Sequence, residues 1–471
     1  MTTLQRWTLT AVCLATAMLM LDIAVVATAL PDIAADLRAD LHGLKWVIDA
    51  YTLALGGVVL TAGSLADRLG RRRVFVAGLL VFTVSSLACA LAPSIGALIA
   101  ARAVQGLGAA LMFAVSLALI ADVFAPGKAR AAALAAYGAT IGASFAIGPF
   151  VGGVLTTTLG WTWVFLLNLP LGCVGLAIAA RKLRESRDPV PRKVDIPGQV
   201  TLMLALLGIV FGLLNAADEG WSAPLTLVPL LGGGVFAVAF VAIELRVREP
   251  MVPLAMFAQR PFAAAQVTAI TISAGLYAML AYLMIYLQQV LGLSAIEAGL
   301  VLVPATLLNL VVAGASAPLA ARVSPRLIIS AGLACATAGL LLLTSAGPDS
   351  SWSVVLPGLC LGNIGAGLVN PAIGALSLSV PAERSGLASG IHDTARQSGL
   401  ALGVAALGAL IPIGGGAGIA DPVAFVDGVR DALWVGAAIT GTGAVVAAAL
   451  LGERRYGFFG ATYTSRPSSR R

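Results

Sequence analysis

Apolar segments of about 20 residues recur almost without a break along this chain, and nothing else constrains its fold so strongly. A helix rises about 1.5 Å per residue and the hydrocarbon core of a bilayer is about 30 Å thick, so such a segment is long enough to cross it. Fourteen are readable, at about 8–30, 44–64, 74–92, 95–120, 131–157, 162–181, 196–215, 223–243, 263–287, 297–318, 327–346, 353–379, 387–413 and 432–452. They account for most of the 471 residues, and no stretch between them is long and polar enough to fold as a soluble domain. Charge makes the same point. Only 11% of residues are charged and 59% are hydrophobic, whereas soluble domains carry about 25% charged residues. The surface must face lipid, and the expected fold is an all-α integral membrane protein.

Composition removes several function classes. The two histidines, His42 and His392, lie far apart, so no His-rich metal site is expected. Cys13, Cys89, Cys173, Cys335 and Cys360 all fall in apolar segments without a CxxC pair and read as small packing residues. No phosphate-binding GxxxxGK[ST] loop occurs, so no nucleotide or other cofactor is expected. A net charge of +7 on a soluble protein would suggest nucleic acid. Here the positive charges sit in loops beside a membrane, which explains them without a nucleic-acid partner. Ala27-Thr28-Ala29 mimics a signal-peptide cleavage site, but the apolar run is too long and Asp22 interrupts it, so the segment reads as a retained first helix.

An even number of spans puts both termini on one side. With the termini and the even-to-odd loops taken as cytoplasmic, 24 of the 29 Lys and Arg residues lie on that side, and three (Arg38, Lys45 and Arg430) on the other. That bias predicts a multi-pass protein of the bacterial inner membrane with both termini cytoplasmic. The longest charged loop, Arg181 to Asp195, follows the sixth segment, and the next two segments contain no charge. They read as a lipid-facing accessory pair. The expected architecture is therefore two six-helix bundles plus two accessory helices: residues 1–187, 188–250 and 251–452, then a basic cytoplasmic tail at 453–471. The loop from Gly63 to Arg72 and its second-half counterpart, Ala317 to Arg326, share Leu-Ala-x-Arg and a final Arg. Such parallel repeats suit a substrate site between halves near the midplane.

Ionisable residues inside a membrane are costly and mark function by default. Asp22, Asp49, Arg102, Asp393 and Arg396 are the clear cases. Counted from the outer helix ends, the first three lie in one layer roughly 7–12 Å deep. Burial disfavours a charged carboxyl and a nearby arginine favours it, so an acid balanced between the two can carry a proton. The bland reading is a static Asp–Arg pair that locks helices together, and for Asp49 a hydrated position near the interface. Asp393 and Arg396, three residues apart on one helix face, read as a self-neutralising structural pair or a gating contact.

These residues sit in segments that resemble the major facilitator superfamily, in particular its 14-helix drug:proton antiporter family, almost end to end. Leu21 to Pro31 resembles that family's LDxTxVNVALP signature, with Ala24 and Ala27 where Thr and Asn are usual, which leaves Asp22 with fewer polar neighbours. Trp46 to Leu53 resembles WVxxAYxL, and Arg102 to Ala110 resembles RxxQGxGAA. Gly63, Asp67, Arg68, Gly70, Arg71 and Arg72 fit the loop signature GxLADRxGRR, which the resemblance makes a latch of the cytoplasmic gate. The second-half copy lacks the acid (Ala321) and both glycines (Ala317, Ser324). Gly148, Pro149, Gly152 and Gly153 fit the exporter signature GxxxGPxxGG, with Ser144 in place of its first glycine. Glycines there permit close helix approach and the proline kinks the helix.

The resemblance implies a proton-coupled exporter of drugs or antibiotics that works by alternating access. Asp22, Asp49 and Arg102 would handle the proton. Gln105, Tyr137, Asn168, Tyr277, Tyr282 and Asn309 are candidate cavity residues, each with local packing as the plainer reading. The expected partners are small lipophilic or cationic molecules, protons and membrane lipids, with the chain acting as a monomer. A proton-coupled importer and a non-transporting membrane sensor are the competing readings; a membrane enzyme would need a clustered catalytic set that the sequence lacks.

Overall fold

A computed structural model describes residues 1–125, 128–187, 195–320, 323–377, 380, 385–412 and 421–452. The basic tail at 453–471, and Ala321 and Arg322 of the second-half loop, lie outside the described residues. Everything described is helix and connection: α1 (Thr3–Leu37), α2 (Leu41–Leu69), α3 (Arg71–Ala90), α4 (Ile95–Val123), α5 (Lys128–Leu159), α6 (Thr162–Leu166), α7 (Asn168–Lys182), α8 (Ile196–Glu219), α9 (Pro224–Glu244), α10 (Arg260–Ile272), α11 (Met279–Ile285), α12 (Ala295–Ala320), α13 (Pro325–Leu343), α14 (Leu356–Ser377), α15 (Ser385–Gly408) and α16 (Pro422–Leu450).

Polar caps set several helix starts. The Thr2 and Gln5 side chains satisfy each other's backbone N–H groups at 3.2 and 2.9 Å ahead of α1. Asp40 accepts from the Gly43 N–H at 2.8 Å ahead of α2, and Asp195 from the Gly198 N–H at 2.9 Å ahead of α8. Helix α5 bends by 42° between Ser144 and Ile147. Pro149 explains the place of the bend, because its ring clashes with the carbonyl four residues earlier. Two π turns, Ser273–Tyr277 and Tyr286–Val290, interrupt the expected ninth span on either side of α11.

Among the described residues, 12 helices are long and apolar enough to cross a membrane, or 13 if the bent α5 counts as one span. The expected segment missing from this count is the thirteenth, at about 387–413, which is helix α15. It carries His392, Asp393 and Arg396 and is not among those that pass on composition.

Helices α1–α7 pack chiefly on one another, as do α10–α16, and two seams join the groups: α5 on α12 and α2 on α15. Helix α8 lies on α9 and touches both α2 and α15, while α9 leaves Val228, Leu231, Val235 and Val238 exposed. At the end bearing the α1–α2 turn, Ile33, Ala34 and Leu44 of the first group share one buried apolar cluster with Tyr282, Ile411 and Phe425 of the second. The two groups meet at that end.

Candidate functional site

Asp22, on α1, is 1% exposed and receives a set of converging donors. Arg102 Nη1 of α4 donates to Oδ2 at 2.5 Å. Gln105 Nε2, one turn along α4, and Asn168 Nδ2 of α7 each donate to Oδ1 at 3.0 Å. The same two amides donate to Ser86 Oγ of α3 at 3.1 and 3.0 Å, so three helices meet at the carboxylate and α3 joins through the amides. Arg102 also donates Nε to the Val47 carbonyl at 3.1 Å and Nη1 to Gln105 Oε1 at 2.7 Å, and its guanidinium lies 4.2 Å from the Tyr51 ring centre. Every partner of Asp22 is a donor, which suits an anion. The expectation that Asp22 has few polar neighbours is thus corrected. The missing Thr and Asn of the signature are replaced by an amide from each of two other helices.

Asp49 differs in kind. It is fully buried on α2 rather than hydrated at the interface, and neither carboxylate oxygen has a hydrogen-bond partner. Its electrostatic neighbours are Lys45, one turn earlier, and Tyr282 of α11. Lys45, which the sequence places among the loop cations, lies inside α2 and is 3% exposed. Its Nζ donates to the Gly408 carbonyl at 2.7 Å, across the seam between the groups.

A cavity of about 750 Å³ runs through the middle of the molecule. Its wall is mostly apolar, with Arg102 and Tyr51 at the edge of the Asp22 network and Asp393 and Arg396 on α15. Tyr137, Tyr277 and Asn309 line it as expected, but Gln105 and Asn168 do not: they are consumed in the Asp22 network. Nor does Tyr282, whose hydroxyl donates to the Val404 carbonyl at 2.5 Å. Asn370, which the sequence did not single out, lines the cavity and donates to the Tyr277 hydroxyl at 2.5 Å. Asn363 faces Asn309 there at 3.5 Å. Asp393 and Arg396 share the wall as electrostatic neighbours, with no salt bridge within 4.0 Å between them among the described residues. Only their place on the cavity side of α15 could have flagged this, and sequence spacing does not give it.

The exporter signature sits at both contacts of α5. A Cβ on Gly148 would meet Ala24 of α1 at 2.4 Å, and one on Gly153 would meet the Ala295 carbonyl of α12 at 2.4 Å. Gly152 faces Val25 and Thr28, and Pro149 lies against Gly299. In the Gly63–Arg72 loop, Gly70 has φ +111°, a conformation open to glycine. Asp67 pairs with Arg71 at 3.0 Å, while Glu185 accepts from the Arg72 N–H at 3.1 Å and lies 3.7 Å from Arg73. These partners hold the loop to the segment after α7. Arg68 is exposed, and Gly63 has open space where a Cβ would go.

Two helical groups that meet over a central cavity, with charge held deep in apolar surroundings, form a membrane carrier rather than a catalyst. The model of the Major Facilitator Superfamily matches residues 12–404, and the chain belongs to that superfamily. It is a multi-pass membrane transporter, not an enzyme. Among its relatives, the multidrug resistance protein Stp of Mycobacterium tuberculosis is 35% identical over 408 residues, covering 86% of this chain and 76% of its own length. The puromycin resistance protein pur8 of Streptomyces alboniger is 35% identical over 434 residues (90% and 86% covered). The cephamycin export protein CmcT of Amycolatopsis lactamdurans is 37% identical over 401 residues (84% and 82%). Of solved structures, the human organic anion transporter MFSD10 aligns with a TM-score of 0.64 at 16% identity, over 94% of this chain and 99% of that one. A peptide transporter, POT, in complex with sulfate aligns at 0.68 and 17%, over 94% and 93%. At those identities the likeness is one of fold.

Proposed function

We propose that this protein is a proton-driven exporter of drug-sized molecules, antibiotics among them, that alternates access between the two faces of a bacterial cell membrane. The observation that carries the proposal is a mid-membrane cavity flanked by two buried acids in opposite states: Asp22 saturated with donors, Asp49 with none. Relatives named for resistance to or export of antibiotics support the direction and the cargo. Asp22 with Arg102 ties α1, α3, α4 and α7 into a unit that moves as one, and Asp49, facing the seam, takes up and releases the proton. Cargo enters from the cytoplasm or inner leaflet and leaves outward as the proton passes the other way.

Helix α15 crosses the membrane too, with its charged residues turned to the cavity instead of lipid. This brings the count to the 14 helices of the drug:proton antiporter family. The positive-inside bias then puts both termini and the Gly63–Arg72 loop on the cytoplasmic side, and the α1–α2 turn outside. The bundle boundaries fall at 1–187 and 251–452, with α8 and α9 as the accessory pair.

The test is a susceptibility panel in an efflux-deficient host. Wild type should raise tolerance to several lipophilic antibiotics, and an uncoupler should abolish the gain. Asp49→Asn and Asp22→Asn should each lose it. Equal protection by wild type and both variants would refute the proton assignment.

A further inference from the structure

Lys45 is buried where helices of the two groups meet, and its described anchor is a backbone carbonyl of the opposite group. Gly408 is the last residue of α15, and its carbonyl accepts from the Ile411 N–H at 3.3 Å in the turn that follows. Lys45 Nζ adds a second, shorter bond at 2.7 Å. Space around the contact is fully used. A Cβ on Gly408 would lie 2.6 Å from Lys45 Cε and against the Tyr282 hydroxyl. Four residues along the same face of α2 stands Asp49, its two oxygens unpartnered. A lysine at i can reach either a carboxylate at i+4 or the facing carbonyl, but one ammonium cannot hold both in good geometry.

We infer that Lys45 is a two-position latch of the outer gate: it rests on the Gly408 carbonyl while Asp49 carries a proton, and swings to Asp49 when that proton is lost. This deepens the reading of a proton-coupled exporter and rests on it. Ionised Asp49 offers the ammonium a charged acceptor in place of a neutral one, and charge-assisted bonds are about twice as strong. Losing the Lys45–Gly408 bond loosens α2 from α15 at the end where the Ile33, Tyr282 and Phe425 cluster joins the groups. A proton arriving from outside then returns Lys45 to the carbonyl and shuts the gate behind it.

Most other polar groups on the elements packed around Asp49 are engaged, while the Tyr51 hydroxyl on α2 and the Gln397 amide nitrogen on α15 have no hydrogen-bond partner among the described residues. On α2, His42 accepts from the Trp46 indole at 3.2 Å. On α4, Arg102 is committed to Asp22, Gln105 and Val47. On α11, the Tyr282 hydroxyl donates to Val404. On α15, Asp393 and Arg396 stand at least 12 residues from Gly408, about 18 Å along the helix. From α8 comes only the apolar Phe211, tilted against Trp46 with ring centres 6.2 Å apart.

The full chain, with its five cysteines replaced, would be labelled at Arg38→Cys and Val423→Cys, two exposed positions on opposite sides of this mouth. Their separation would be measured by pulsed electron spin resonance in lipid nanodiscs, in mildly acidic and mildly alkaline buffer. Wild type should show the short distance in acid and gain a longer one in alkali. Asp49→Asn should keep the short distance in both. Lys45→Met should raise the open-to-closed ratio about tenfold in acid, the scale of one lost charged hydrogen bond. Gly408→Ala, which crowds the lysine off the carbonyl without touching any charge, should do the same, and it guards against a folding defect in Lys45→Met. An Asp49→Asn protein that still opens in alkali, or a Lys45→Met and Gly408→Ala pair as closed as wild type, overturns the latch. Transport by the same samples in vesicles separates the two readings. Distances that shift while transport ignores the proton gradient keep the latch and sink the coupling. Gradient-driven transport without the shifts does the reverse.

Discussion

At the scale of single residues, Arg102 carries the most. It is 2% exposed and donates to Asp22, Gln105 and the Val47 carbonyl. Arg102→Ala leaves Asp22 as an uncompensated buried anion, a change that costs about 3–5 kcal/mol in comparable sites. The thermal midpoint in detergent should fall by several degrees and transport should vanish. Arg102→Lys keeps the charge but not the planar fork that spans three acceptors. It should fold normally and transport at least about tenfold more slowly, the loss expected from about 1.4 kcal/mol. A lysine variant with wild-type rate would show that Arg102 supplies charge alone. Asp22 and Arg102 were legible in the sequence because a charge inside an apolar run has few explanations. Gln105 and Asn168 were visible as polar residues but not as partners of Asp22. Which helix faces which is decided by packing, and 83 and 146 residues separate them from Asp22. Lys45 was misplaced for a smaller reason: it sits one residue inside the expected start of its span, where loop and first turn look alike.

At the scale of elements, close helix approach depends on a few glycines whose pattern the sequence shows and whose contacts it does not. Helices α3 and α4 touch backbone to backbone. A Cβ on Gly108 would lie 2.5 Å from the Phe82 nitrogen, and one on Gly78 would lie 2.7 Å from the Met112 nitrogen. Gly108 was read as part of a signature, and Gly78 was passed over because an isolated glycine in an apolar run carries no signal by itself. Gly108→Val should force the pair apart and cost about 1–3 kcal/mol, as overpacking does. Melting of the purified protein would show the drop. Gly234→Ala on α9, with open space at its Cβ, should leave melting nearly unchanged and serves as the control. Helix positions came through well from hydropathy, since lipid demands it of every span. Two features escaped: the π turns beside α11, which no simple periodicity announces, and the outward reach of α1 to Leu37, whose last turns carry Asp32 and Asp36 beyond the apolar run.

At the scale of the whole molecule, the charge balance of the cavity decides what it accepts. Its volume of about 750 Å³ suits a drug-sized molecule. Asp393 and Arg396 stand on its wall with no salt bridge between them among the described residues, so each can turn to a guest. The exporter reading makes that guest the cargo, and a cationic cargo then gains a charged partner in Asp393 that a neutral one does not. Such a contact contributes about 1.5–3 kcal/mol, and 1.4 kcal/mol is a factor of about ten in affinity. Asp393→Asn should therefore cut tolerance to cationic compounds about tenfold or more while tolerance to neutral compounds of similar size changes little. Arg396→Gln should weaken handling of anionic compounds and spare the cationic ones. Paired dose–response curves for a cationic and a neutral antibiotic, at matched membrane expression, separate the outcomes. If Asp393→Asn lowers both equally, the carboxyl serves the transport cycle and not the cargo, and the cavity selects by shape and apolar area alone.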